Sequence, residues 1–80
     1  MSSDVERNLG EQPISAIMAE GGFRAKDLVA SSTEQITHKM VSRACKGRRL
    51  TANIQGKIHR ALQAATGEER PLSELFNYTA

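Results

Sequence analysis

Eighty residues make one small domain, since a chain of this size buries only roughly 60% of the surface its unfolded form exposes. With no tryptophan, the core must be built from Ile, Leu, Met, Val and the many alanines. A single cysteine, Cys45, excludes an intramolecular disulfide and supplies no metal-ligand set. No apolar run approaches the roughly 20 residues that span a bilayer, and the opening MSSDVERNLGEQ lacks the apolar stretch of a signal peptide. A cytoplasmic protein with no membrane partner, metal or cofactor is expected.

Net charge is only +2, but it is unevenly distributed. Between residues 35 and 67 there is no Asp or Glu, while Lys39, Arg43, Lys46, Arg48, Arg49, Lys57 and Arg60 are all basic. Residues 1–34 carry six acids against three bases, and residues 68–80 carry three against one. Such a split presents one positive surface to an anionic partner. The plainer reading is a set of solvated side chains with no partner.

In chain order, residues 1–11 are polar, short of apolar anchors and expected to form a flexible arm, with a single domain over 12–78. Pro13 suits a first helical turn, and a helix over 13–20 would bury Ile14, Ile17 and Met18 before Gly21-Gly22 breaks it. Phe23 precedes a short second helix, from Arg24 or Ala25 to Ala30, with Leu28 and Val29 turned inward. Ser31 with Glu34, and Ser32 with Gln35, match the capping-box pattern, which favours a third helix starting near Thr33. Thr37 is the competing N-cap.

That third helix places Ile36, Met40, Val41 and Ala44 on one face and Gln35, His38, Lys39, Ser42, Arg43 and Lys46 on the others. It ends at Gly47, where a left-handed C-cap favours a residue without Cβ. Arg48-Arg49-Leu50 connects to Thr51, a good N-cap for a fourth helix that runs to Gly67 with Ile54, Ile58, Ala61, Leu62 and Ala65 as its apolar stripe. Gly56, inside it, costs about 1 kcal/mol relative to Ala unless a neighbouring helix packs closely there. Pro71 opens a fifth short helix that returns Leu72, Leu75 and Phe76 to the core. The expected fold class is all-α, a small bundle of about five short helices.

The order of these pieces resembles a known family. The end of the third helix, Val41-Ser42-Arg43 with Lys46-Gly47-Arg48-Arg49, is followed by Lys57-Ile58 and Ala61-Leu62 and then by Ser73-Glu74-Leu75-Phe76. Over roughly residues 14–76 this resembles the Cro/CI (XRE-like) helix-turn-helix family, the lambda-repressor-like DNA-binding domains. The chain departs from that pattern at Arg24-Ala25, where the family carries Thr-Gln, at Val29, where a small residue is usual, and in a longer segment between Leu28 and Gly47. The extra length would either lengthen the turn between helices two and three or extend the third helix.

The resemblance implies a sequence-specific transcriptional regulator that reads the major groove of double-stranded DNA with its third helix. It places His38, Lys39, Ser42 and Arg43 toward the bases, with Gln35 joining them if the helix starts early. Arg43 could donate two bonds to a guanine, a contact worth about 1–3 kcal/mol of discrimination. Lys46, Arg48, Arg49, Thr51 and Asn53 would hold phosphates, the last two at a helix N-terminus suited to anions. A homodimer would form through the C-terminal helix, with Leu75, Phe76 and Tyr78, or through the N-terminal arm. The alternative is a non-enzymatic module that turns the same basic helical face to RNA or to an acidic protein.

Plainer readings stand beside these. Arg43 could pair with Glu34 or Asp27, His38 could be an ordinary exposed histidine, Cys45 a small packing residue, and Lys57 and Arg60 a solvated face. No catalytic grouping, HExxH, GxGxxG or phosphate-cradling loop occurs, so an enzyme is not expected.

Overall fold

The computed structural model describes residues 9–78, and every regular element among them is helical. Helix α1 spans Pro13–Gly21, α2 Ala25–Ser31, α3 His38–Lys46 and α4 Ala52–Thr66, followed by a single 3-10 turn at Leu72–Glu74. The expected fifth helix is therefore one turn only. Pro71 at its start and the return of Leu75 and Phe76 into the core by two backbone bonds to Leu72 O leave no length for more.

Helix α1 begins at its proline, whose missing N–H is harmless there. It ends with Gly22 and Phe23 donating back to Ala19 O and Met18 O, which satisfies carbonyls the helix leaves open. Helix α2 is capped from inside: the Asp27 carboxylate accepts the Arg24 N–H at 2.7 Å. Its buried residue is Leu28.

Residues 32–37 form an extended connection to α3, and here the favoured early start of the third helix is corrected. The Ser32 hydroxyl accepts from Glu34 N at 3.0 Å and donates to Glu34 O at 2.9 Å, folding the chain into a turn instead of capping a helix. Thr37 is the actual N-cap, its Oγ1 accepting from Met40 N at 3.1 Å. Ile36 immediately before it and Val41 four residues after it are both buried, the two positions of a hydrophobic staple. The extra length of this segment thus lies in the connection, and Gln35 is outside α3.

Helix α3 buries Val41 and Ala44 and stops at Gly47, which has φ +88°. Glycine is required there twice over. A side chain would be strained in that conformation, and an added Cβ would lie 1.7 Å from Gly10 O. Residues 9–12 run across the end of α3: Leu9 N donates to Gly47 O and Gln12 N to Cys45 O. Residues 9–11 of the expected arm are therefore attached, and its residues 1–8 lie outside the described ones.

Helix α4 starts where expected, with Thr51 Oγ1 accepting from Ile54 N at 3.2 Å. It buries Ile58, Ala61 and Leu62 and packs mainly against α2. The nearest group to an added Cβ at Gly56 is the Arg60 guanidinium of its own helix, at 3.1 Å. The core joins Ile14, Met18, Leu28, Ile36, Val41, Ala44, Leu50, Ile58, Ala61, Leu62, Leu75 and Phe76. Leu72 is excluded from it, being 37% exposed.

The two ends of the domain are tied together by Gln12. It is 2% exposed, donates to Gly10 O and accepts the Asn77 N–H at 2.8 Å, while Ile14 N donates to Leu75 O. A second buried amide, Gln55, has its Nε2 unpartnered among the described residues. No helix among those residues is long and apolar enough to cross a membrane.

Candidate nucleic-acid interface

Because Met40, Val41 and Ala44 face the core, the 3.6-residue period turns His38, Lys39, Ser42, Arg43 and Lys46 outward. His38, Lys39, Arg43 and Lys46 are exposed and Ser42 is half-buried. The first turn of α3 carries no acid, and its last turn ends in Arg43 and Lys46.

Gly47 then reverses the chain, and Arg48 N donates to Arg43 O at 3.0 Å. This reversal brings Arg48 and Arg49 back beside Arg43. Together with Leu50, Thr51 and Ile54 the three arginines line one recess at the N-terminus of α4. Thr51 Oγ1 is engaged as an acceptor by Ile54 N, which leaves its O–H to donate outward. The N–H groups of Ala52 and Asn53, in the first turn, have no partner within the helix. Three arginines and Thr51 therefore line one recess beside the first turn of α4.

The predicted residues do not all meet. Arg43, Arg48, Arg49 and Thr51 line the recess, whereas His38, Lys39 and Ser42 continue along the outer face of α3. Asn53 is exposed in the first turn of α4, outside the recess lining. Lys46 lies round the other side, in a shallow depression with Gly10, Glu11, Ser15 and Cys45, and Arg48 borders both.

The two acids that could have paired with Arg43 are engaged elsewhere. Glu34, the nearest acid before the basic segment, is held by Arg60, whose Nε and Nη2 reach its two oxygens at 2.5 and 2.8 Å. That hydrogen bonding lowers the Glu34 pKa and raises that of Arg60. Asp27 is occupied by the Arg24 backbone. Arg43 thus has neither Glu34 nor Asp27 as a partner, and Arg60, though exposed, is paired with Glu34.

Tyr78, expected from sequence only as a dimer residue, supports the recess from behind. Its Oη accepts from Leu50 N at 3.0 Å and donates to Arg48 O at 3.3 Å, and Arg49 Cζ stands 5.9 Å from its ring centroid. No local pattern signals this, because the partners are 28 and 30 positions away in the chain. Leu75 and Phe76, expected as core or dimer residues, are 0% and 3% exposed.

Among the described residues no group of three or more His, Cys, Asp or Glu side chains could hold a metal ion. Cys45 is half-buried with Sγ 3.7 Å from Met18 Sδ. Burial, and secondarily Glu11, pushes its thiol pKa up, which disfavours the nucleophilic thiolate.

No family model, curated protein or solved structure matches the chain. The functional reading therefore rests on geometry: a basic helix face continuous with an arginine-lined recess at a helix N-terminus.

Proposed function

We propose that this protein binds double-stranded DNA in a sequence-dependent manner and acts as a transcriptional regulator. The observation that carries the reading is the convergence of Arg43, Arg48 and Arg49 on the recess at the start of α4, with no acid between residues 35 and 67. In this reading α2 and α3 act as a helix-turn-helix. The recess takes a backbone phosphate, through Arg48, Arg49, the Thr51 hydroxyl and the N–H groups of the first turn. With a phosphate seated there, His38, Lys39, Ser42 and Arg43 extend along the groove, and Arg43 is the side chain able to bond guanine O6 and N7 together. Lys46 and Asn53 contact flanking phosphates. A single domain makes few contacts, so a specific site would engage two copies. Contacts between copies through the C-terminal segment would use the exposed Leu72, since Leu75 and Phe76 are taken up by the core.

One observation favours the second reading, a non-enzymatic module binding RNA or an acidic protein. Helix-turn-helix units join their helices by a turn of about 3–4 residues, whereas here residues 32–37 intervene between α2 and α3. The deciding experiment is selection from a pool of random duplex DNA, followed by a salt titration on the enriched sequence. An enriched site with steep salt dependence supports the regulator. Weak binding without enrichment rejects it in favour of the second reading.

A further inference from the structure

Tyr78 is where the C-terminal segment meets the arginine-bearing connection between α3 and α4. Its ring is anchored to the core by an edge-on contact with Phe76, centroids 5.7 Å apart at 66°. Its hydroxyl then bonds the backbone on both sides of Arg49, accepting from Leu50 N and donating to Arg48 O. The same ring lies under the Arg49 guanidinium. One residue thus fixes the peptide path that aims Arg48 and Arg49 and also the direction of the Arg49 side chain. Leu50, the next residue, is 8% exposed and enters the core, so the connection is pinned at the point where its charged stretch ends.

We infer that Tyr78 is a positioning residue: it holds the Arg48–Arg49 backbone in the conformation that receives an anionic ligand at the recess. This deepens the proposed function and rests on it, the ligand being a phosphate of duplex DNA. Charge alone does not secure such contacts. A loop free to move must be ordered on binding, and ordering opposes association, so a loop ordered beforehand binds more tightly with the same charges. Removing the Tyr78 hydroxyl leaves every arginine in place and the aromatic contacts intact, and frees the backbone between them. The Leu50 N–H and the Arg48 carbonyl would turn to water.

The test compares the full chain with its Tyr78→Phe variant on a fluorescently labelled duplex of mixed sequence, over a range of salt, at a temperature where circular dichroism shows both folded. Amide hydrogen exchange at Leu50, read by NMR without DNA, is the second measurement. The expected result is about 2- to 10-fold weaker binding, the part of the two hydroxyl bonds' net worth that re-ordering the connection takes from association. The salt slope should be unchanged, because no phosphate-neutralising charge is removed. Leu50 N–H exchange should be faster in the variant. Arg48→Ala, which removes a charge, should instead flatten the slope by about one.

Unchanged affinity in Tyr78→Phe overturns the positioning role, as does unchanged Leu50 exchange. A slope lost as fully as in Arg48→Ala also overturns it, since that would mean contacts abolished rather than pre-ordered. Wild-type protein that shows no salt-dependent binding overturns the DNA reading and the positioning role together. Wild-type protein that binds, with an indistinguishable variant, overturns the positioning role alone.

Discussion

Gly47→Ala should be the most damaging single-methyl change in the joint between α3 and α4. The backbone there has φ +88°, a conformation that costs an L-residue roughly 1–2 kcal/mol. The new Cβ would also lie 1.7 Å from Gly10 O, so residues 9–12 must move away. That movement endangers the Leu9 N to Gly47 O and Gln12 N to Cys45 O bonds, each worth about 0.5–1.5 kcal/mol net. The total is about 2–5 kcal/mol, comparable with the whole stability of a domain this small, about 3–5 kcal/mol. Gly67→Ala is the matched control: it has φ +74° but open space around the added methyl, so it should show the conformational cost alone. Thermal melts followed by circular dichroism separate the two, at about 4–8 °C per kcal/mol. Equal losses in both variants would refute the close approach of residues 9–12 to the end of α3.

Three further outcomes are expected. Arg43→Ala should relax preference among related duplexes, whereas Arg48→Ala should weaken all of them alike; uniform losses from both would contradict the assigned roles. Thr37→Ala should cost about 1 kcal/mol in a denaturant melt through loss of the α3 cap, while Thr33→Ala should stay within about 0.5 kcal/mol as an ordinary exposed position; the reverse order would restore an early start for α3. Glu34 has its pKa lowered from 4.5 by hydrogen bonding to Arg60, so its contribution to stability is present above that value and lost as pH falls through the depressed one. Melting temperature followed across that acidic range should decline less in Glu34→Gln than in wild type, and parallel curves would show that the ion pair contributes nothing.

Elements bounded by local chemistry are legible in the sequence alone. Helix α4 runs between the Thr51 cap and Gly67, and α1 between Pro13 and Gly22, because each signal acts within one helical turn. The start of α3 is not, since Ser31, Ser32 and Thr37 all offer cap chemistry within seven positions. The contacts found there are tertiary: Ile36 is drawn into the core and Glu34 is taken by Arg60, 26 residues on, with residues 32–36 outside helical geometry. The fifth helix falls short of its expected length for a similar reason. Leucine spacing alone does not distinguish Leu75, buried beside Phe76, from Leu72, left at the surface by the one-turn geometry.

The candidate site divides along the same line. Its charges can be read from residues 39–49, because absence of acids is a compositional fact. Its shape cannot, because the recess depends on both ends of the described chain. Gln12 N and Leu9 N hold the carbonyls of Cys45 and Gly47 from one side, and Tyr78 holds Arg48 and Leu50 from the other. Gln12 also accepts from Asn77 N, so these two supports are themselves joined. The connection that carries Arg48 and Arg49 is therefore an exposed segment whose backbone is bonded on each flank. Such a segment keeps its guanidinium groups in water, where they can meet a phosphate, while the cost of ordering the peptide between them is met during folding instead of on binding.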